Sequence, residues 1–133
     1  MPTVEQHLAK VRSNKRLLTY LGEAETTAFP DWFVTVTFYS ALHSIEAILC
    51  QEIQRHSTGH VERELLLRTK LPAIERNFLN AYRELYTKSC EARYMTNRKT
   101  VMDYADCKLA MENLGLIETE CKNTFFPNYP FPY

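Results

Sequence analysis

The sequence contains few residues that interrupt regular structure, with three glycines and six prolines among its 133 residues. Because glycine and proline mark turns, this scarcity favours a small number of long elements over many short strands. Apolar residues make up 45% and charged residues 24%, which argues against a disordered or fibrous chain. The length suits one hydrophobic core and leaves too little chain for a second, so we expect a single domain.

The chain also lacks net charge, because sixteen basic and sixteen acidic residues cancel. A protein that holds duplex nucleic acid needs a positive field to neutralise phosphates, and this sequence provides no overall field of that kind. The basic residues are nevertheless in excess within residues 1–22 and 71–99. The folded chain can therefore still present a local basic face.

Paired cysteines, a secretion signal and a long apolar run are all missing. No stretch approaches the roughly 18 uninterrupted apolar residues that a membrane span requires, and residues 1–16 contain no apolar signal region. Widely spaced cysteines without a Cys-x-x-Cys pair are typical of reduced, buried thiols. We therefore expect a cytoplasmic protein with no membrane contact and with four free cysteines, Cys50, Cys90, Cys107 and Cys121.

The apolar spacing predicts helices in the first half of the chain. In residues 3–22 apolar side chains recur every three or four positions, and Gly22 is a natural stop. The stretch that follows Pro30 is the most apolar, so Phe33 to Ile53 is expected to form a central buried helix, with Asp31 as a candidate cap. Its first half, WFVTVTFY, is rich in β-branched and aromatic residues and could equally form a strand. The strong helix formers that follow, with no turn residue before Gln54, favour the helix.

The second half predicts further helices after the turn RHSTGH. A short helix, VERELLLRT, is followed by a long one with Pro72 in its first turn and by a last one from Val101 to Cys121, with Leu116 on its buried face. Residues 125–133 alternate prolines with aromatics and are expected to lie extended. The prediction is an all-α domain of four to five helices over residues 1–124, with a tail over residues 125–133.

Three segments of this chain, spanning about residues 30–95, resemble the HEPN superfamily, the nucleotide-binding domains of higher eukaryotes and prokaryotes. The similarity is greatest to small stand-alone prokaryotic members. The segments are DWFVTVTFYSALHSIEAIL, then HSTGHVEREL, then AYRELYTKSCEARY, and the residues that carry the resemblance are Tyr39, Ala41, His43, Glu46, His60, Arg63, Ser89, Ala92, Arg93 and Tyr94.

The resemblance implies an up-and-down bundle, commonly a homodimer, with roles in RNA processing, toxin–antitoxin systems and defence. Many members are metal-independent endoribonucleases in which a late-helix arginine is followed after four to six residues by a histidine. Here Arg93 matches the arginine, but residues 98–100 include no histidine. Arg55 and His60 have the spacing but lie in the turn between the second and third helices. The resemblance therefore implies a non-catalytic module that dimerises and binds RNA, a nucleotide or a protein partner.

The alternative is a metal-independent endoribonuclease of toxin or anti-phage type with a non-standard site. Its catalytic candidates are His60, Arg55 and Arg93, and the binding candidates are His43, Glu46, Arg63 and Tyr94. In that arrangement the two arginines Arg63 and Arg93 bind phosphate, and Glu46 orients His43 for proton transfer. The competing interpretation is that His43 and Glu46, three residues apart on one helix face, are buried polar residues that satisfy each other or fix the packing of the helices.

Metal and cofactor binding are not expected. His56 and His60 have the spacing of metal ligands on a helix, but Gly59 lies between them and no further ligand completes a set. The sequence also has four tyrosines near basic residues, which could stack on and neutralise single-stranded RNA or simply form the edge of amphipathic helices. These residues are Tyr82, Tyr86, Tyr94 and Tyr104 with Arg83, Lys88, Arg93 and Arg98.

Overall fold

The computed structural model describes residues 1–94 and 102–128. Within these residues the chain forms five α-helices and no strand, so the predicted all-α bundle of four to five helices is confirmed. The helices are α1 (Val4–Leu21), α2 (Pro30–Ile53), α3 (His60–Lys70), α4 (Arg76–Tyr94) and α5 (Tyr104–Glu120), and a π-helical turn at Cys121–Phe125 follows α5.

Helix α1 begins and ends where local chemistry requires it. Thr3 and Gln6 form a capping box, in which the Thr3 hydroxyl accepts a bond from the Gln6 amide and the Gln6 side chain accepts one from the Thr3 amide. Gly22 ends the helix with a φ of 97°, a conformation that favours glycine. The predicted apolar stripe faces inward, since Leu8 and Val11 are fully buried.

Helix α2 confirms the expected central helix, including the segment WFVTVTFY for which a strand was the alternative. Pro30 occupies its first turn, where a missing amide hydrogen costs nothing. The expectation that Asp31 caps the helix is wrong, because Phe29 holds the capping position and Asp31 lies inside the first turn. At the other end Gln54 adopts a left-handed conformation that terminates the helix.

Several hydroxyl groups lie inside the core along α2, and each is satisfied by its own helix. Thr35, Thr37, Ser40 and Ser44 each donate a hydrogen bond to the carbonyl four residues earlier, at 2.7 to 3.1 Å. A hydroxyl bonded in this way leaves no unsatisfied donor in the protein interior. The polar residues of α2 are therefore compatible with burial on nearly all sides.

The bundle is arranged around α2, which contacts every other helix. Helix α1 runs antiparallel to it, as the approach of the Pro2 carbonyl to Cys50 indicates. Helix α4 is antiparallel to both α2 and α5, while α5 runs parallel to α2, with Thr37 beside Met111. The short helix α3 contacts α2 and α4. The chain thus forms an up-and-down bundle in which four long helices carry the core.

Among the helices of the described residues, only α2 is long enough and apolar enough to cross a membrane. Most of its apolar stretch is buried within the fold. The core helix of a soluble protein passes the same test.

The second half differs from the sequence prediction at two helix starts and on one face. Helix α4 begins at Arg76, and Pro72 lies in the preceding turn. Helix α5 begins at Tyr104 with Asp103 as its cap, while Val101 lies outside the described residues. Leu116, expected on the buried face, is 40% exposed. The buried positions repeat every three or four residues through Ile117, and a neighbour one residue earlier is rotated by about 100° out of that stripe.

The chain beyond α5 packs onto the bundle before it leaves the described residues. Phe125 and Phe126 are both buried, and the Gln51 side chain donates a 2.7 Å hydrogen bond to the Phe125 carbonyl. The expectation of an extended tail over residues 125–133 is wrong for the part described, because Phe125 ends the π-helical turn and residues 127–128 form a further turn. The last part of that tail, residues 129–133, lies outside the described residues.

The burial pattern of α1 gives a matched test of the fold. Leu8→Ala removes a fully buried side chain and should lower the free energy of unfolding by about 2–5 kcal/mol. Leu17→Ala, in the same helix but 44% exposed, should change it by less than about 0.5 kcal/mol. Urea denaturation followed by circular dichroism measures both values. Equal losses would contradict the orientation of α1.

Candidate functional site

A buried ion pair joins α2 to α3. Glu46 is 4% exposed and Arg63 is 8% exposed, and the Arg63 Nε donates to Glu46 Oε1 at 2.8 Å. Ser57 donates to the same carboxylate through both its hydroxyl and its backbone amide. Removing two charges from water is costly unless they are paired and further hydrogen-bonded, and both conditions hold here. This pair is the centre of the polar network.

The network continues from Arg63 to α4. Its Nη1 donates to the Tyr82 hydroxyl at 2.9 Å, and this hydroxyl lies 2.9 Å from His60 Nδ1. Burial raises the pKa of Tyr82, so the phenol stays protonated. Its O–H group donates a hydrogen bond to His60 Nδ1. Burial lowers the pKa of His60, which keeps that imidazole neutral at pH 7. His60 also stacks on Tyr86, with ring centroids 3.4 Å apart and planes within 5°.

Three further imidazoles form a row on the other side of Glu46. His43 Nδ1 lies 3.2 Å from His7 Nδ1, and His7 Nε2 lies 3.2 Å from His56 Nδ1. His56 Nε2 is 2.9 Å from the Pro2 carbonyl, to which it must donate because a carbonyl only accepts. We call His7, His43 and His56 the histidine row.

Two rings of the histidine row, His7 and His43, are favoured in their neutral form. Burial lowers the pKa of His7 to about 4, and repulsion from His43 and His56 acts in the same direction. Glu46 has an opposite effect that does not outweigh them. Burial also lowers the pKa of His43, and Lys10 acts in the same direction. With neutral rings the network assigns one consistent set of tautomers, in which His43 donates to His7 and His7 donates to His56.

The histidine row reaches solvent through an open groove along α1. The groove has a volume of about 570 Å³, and both His7 and His43 line it. Lys10 and Gln6 form part of the same wall. A small ligand or water in this groove would therefore meet two imidazoles and one ammonium group.

A second set of candidate residues lies towards the end of α4. Arg93 Nη1 donates to the Tyr39 hydroxyl at 2.9 Å and to the Tyr94 hydroxyl at 3.2 Å, while its other nitrogens bond Ser89. Its guanidinium carbon lies 4.8 Å from the Tyr94 ring centre and 5.4 Å from that of Tyr39. Such distances are typical of cation–π contacts. Tyr94 is 67% exposed, so its ring is available to a partner.

A row of rings connects the two sets of residues. The buried Phe38 lies 5.5 Å from the Arg93 guanidinium and 5.8 Å from the Tyr86 ring, which in turn stacks on His60. The exposed and half-exposed members of this row lie along α2, α3 and α4. We call them the aromatic edge, defined as Tyr39, His60, Tyr86, Arg93 and Tyr94.

The structure brings some of the predicted site residues together and separates others. Glu46, Arg63 and His60 share one hydrogen-bonded network through Tyr82. His43 bonds His7, so the expected orientation of His43 by Glu46 is not the arrangement found. The three catalytic candidates have different partners. Arg55 pairs with Glu62 at 3.1 Å in the turn between α2 and α3. Arg93 bonds Tyr39 and Tyr94, and His60 bonds Tyr82.

Sequence reasoning missed two residues of the network and misjudged a third. His7 was not considered, although it lies between Val4 and Val11 on the apolar stripe, which is a detectable signal for a buried polar residue. Ser57 was read only as a turn residue. Tyr82 was considered either as a ring that stacks on RNA or as the edge of an amphipathic helix, and both are wrong for this ring because it is fully buried. Arg98 lies outside the described residues.

Three side chains of the network could also hold a metal ion. His7, Glu46 and His56 each present one ligand atom, and these atoms all lie within 4.8 Å of one another. The set differs from the pair His56 and His60 considered from spacing alone. His60 is directed to Tyr82 instead.

Comparisons with protein-family models, with curated proteins and with solved structures find no match to this chain.

The low pKa of His7 predicts a pH-dependent stability. An imidazole with a pKa of about 4 when folded and near 6.5 when unfolded binds more protons in the unfolded state between those values. Stability should therefore fall as the pH is lowered through this window, by roughly 2–3 kcal/mol for this residue. Urea denaturation at a series of pH values, with chelator present, measures the slope. His7→Gln should flatten it, and an unchanged slope would exclude His7 as its source.

Proposed function

We propose that this protein is a HEPN-like binding module of the cytoplasm that forms a homodimer and receives single-stranded RNA on the aromatic edge, without cleaving it. The observation that carries the proposal is Arg93, which is held between the rings of Tyr39 and Tyr94 at the surface. A fixed positive charge beside exposed aromatic rings offers what single strands require, a place for phosphate and a place for bases.

The chemistry of the aromatic edge suits an unpaired strand better than a duplex. Bases stack on aromatic rings with about 1–3 kcal/mol each and with little sequence preference. Tyr94 provides an exposed ring, and the His60 imidazole stacked on Tyr86 provides a second flat surface. The hydrogen-bond donors of Arg93 are occupied by tyrosine hydroxyls and Ser89, so it contributes charge at a fixed position. The zero net charge fits a strand held by few phosphate contacts.

Binding is favoured over cleavage by the placement of the catalytic candidates. Metal-independent cleavage needs an acid and a base that meet at one phosphodiester. His60, Arg55 and Arg93 have three different sets of partners. One feature supports the alternative of a metal-independent endoribonuclease, namely that burial lowers the pKa of His60, an imidazole of the aromatic edge. A neutral imidazole can act as a base, so cleavage is one outcome of the experiment below.

The homodimer is proposed at the start of α2. Phe29 is 55% exposed and Trp32 is 63% exposed, although most of α2 is covered by its own chain. Large aromatic side chains are enriched at protein interfaces and depleted from free surface. The HEPN resemblance implies a dimer, and these two rings provide the apolar surface for it.

The RNA proposal predicts separable effects of stacking and charge. Tyr94→Ala should weaken the binding of a fluorescently labelled, mixed-sequence single-stranded RNA by about 1–3 kcal/mol, measured by anisotropy. Arg93→Gln should reduce the slope of log affinity against log salt by about 0.7, the value for one phosphate contact. The control Tyr20→Ala removes an exposed ring on α1 and should change neither quantity. Failure of the unaltered protein to bind, or an equal effect of Tyr20→Ala, would reject the aromatic edge as an RNA site.

The same RNA also distinguishes binding from cleavage. Electrophoresis after incubation with the protein and a chelator should show intact RNA. Shortened RNA with the unaltered protein, and intact RNA with His60→Ala, would establish the endoribonuclease in place of the binding module.

The dimer proposal predicts that one substitution changes the subunit count. Light scattering of the unaltered protein should give the mass of two chains, whereas Trp32→Ser should give the mass of one because it removes the largest exposed apolar ring. Tyr20→Ser serves as the control and should leave two chains. A single-chain mass for the unaltered protein would reject the homodimer.

A further inference from the structure

Three potential metal ligands reach one place from three separate parts of the chain. His7 comes from α1, Glu46 from α2 and His56 from the turn between α2 and α3. His7 Nε2 and His56 Nδ1 are 3.2 Å apart, and His56 Nδ1 and Glu46 Oε2 are 3.6 Å apart. Two imidazoles and one carboxylate are a donor set that zinc accepts in proteins, with a fourth position left for water or a ligand.

These separations agree with a tetrahedral ion. Zinc binds imidazole nitrogen and carboxylate oxygen at about 2.0–2.2 Å, so two ligands of one tetrahedral ion lie about 3.3–3.6 Å apart. The 3.6 Å distance lies at the upper end of that range and the 3.2 Å distance just below its lower end. For these two pairs the ligand atoms would have to move by only about a tenth of an ångström, and all three ligand atoms lie within 4.8 Å of one another.

The second nitrogen of each ligating ring already has a partner. His56 Nε2 donates to the Pro2 carbonyl, which leaves its Nδ1 as the lone pair of the neutral ring. His7 Nδ1 faces His43 Nδ1 at 3.2 Å. In metal sites the free nitrogen of a ligating histidine is usually hydrogen-bonded, which fixes the ring and its tautomer. His43 and Pro2 fit this supporting role.

Coordination requires two tautomer changes, one at His7 and one at His43. In the metal-free chain the His7 Nε2 proton bridges to His56. When an ion takes the place of that proton, His7 becomes protonated on Nδ1 and donates to His43 Nδ1. The proton of His43 then resides on its Nε2, and His43 itself lines the groove. The exchange leaves all three rings neutral.

The hydrogen bonds of the Glu46 carboxylate fix its orientation as a potential metal ligand. Its Oε1 accepts bonds from Arg63 and the Ser57 hydroxyl, while its Oε2 accepts one from the Ser57 amide and lies 3.6 Å from His56 Nδ1. Arg63 already balances the charge of Glu46, so the bound ion would have to be held largely by neutral imidazoles. Imidazole ligands favour zinc, cobalt, nickel and copper, whereas calcium and magnesium favour several oxygen ligands.

We propose that His7, Glu46 and His56 bind one divalent transition-metal ion of the zinc class, with a fourth position left for water or a ligand. This site is independent of the RNA proposal, since none of its three ligands belongs to the aromatic edge. It also departs from the sequence expectation of no metal, which considered His56 only with its neighbour His60. The ligand that completes the set comes from α1, at a distance along the chain that no local spacing reveals.

The experiment uses the full chain, stripped with a chelator and then titrated with cobalt and zinc. Cobalt should bind one ion per chain with the visible absorption of a tetrahedral complex, and zinc should displace it. His7→Gln and His56→Gln should abolish this absorption. The matched control His60→Gln alters the other histidine of the same turn region and should leave it intact. Absence of stoichiometric binding at micromolar protein, or retention of binding by His7→Gln and His56→Gln, would overturn the proposal.

Thermal unfolding provides a second measurement that does not depend on a spectrum. An ion that binds only the folded chain raises its melting temperature. Zinc should therefore stabilise the unaltered protein and His60→Gln but not His56→Gln, whose side chain lies near the surface and whose loss should leave the fold intact by circular dichroism. Tyr94→Ala should retain the metal, which separates this site from RNA binding. Equal stabilisation of His56→Gln would place the ion elsewhere and overturn the proposed site.

Discussion

The ion pair between Glu46 and Arg63 is the interaction on which the rest of the site depends. Leaving either charge buried alone costs roughly 3–5 kcal/mol, so α3 and the preceding turn must lie where Arg63 and Ser57 can reach Glu46. From this pair the network extends to Tyr82 on α4 and approaches His56 beside α1. Hydrophobic packing alone tolerates small shifts between helices, whereas this network fixes their relative positions.

The network also separates two surfaces with different chemistry. On one side lies the histidine row, of which His7 and His43 line a groove along α1. On the other side lies the aromatic edge, where Arg93 is held between exposed rings. Both surfaces use residues of α2, which contributes His43 to the first and Tyr39 to the second. The central helix therefore serves the core and two candidate binding surfaces at once.

The sequence predicted the helices well because burial leaves a periodic record. Helix α2 could be recognised from its apolar character, and α1 from the stripe through Leu8 and Val11. The errors concern the exact face and the exact ends of a helix. Leu116 was placed on the buried face and is exposed, and Pro72 was placed in the first turn of α4 and lies before it. The site was less predictable, because its partners depend on tertiary contacts. Glu46 was expected beside His43 on the same helix, but it pairs with Arg63 from another helix, which no spacing along one helix can reveal.

The hydroxyl groups buried in α2 have a mechanical consequence for the bundle. Thr35, Ser40 and Ser44 bond carbonyls of their own helix, so they impose no directional requirement on α1, α4 or α5. Bonds between α2 and its neighbours come instead from separate positions along its length, as where Tyr39 bonds Arg93 of α4 and Glu46 bonds Arg63 of α3. Near its start the Pro30 carbonyl accepts a bond from the Cys107 thiol of α5. Rotation of α2 about its own axis is therefore resisted at several points, while the buried hydroxyls between them leave apolar packing to set the spacing of the helices.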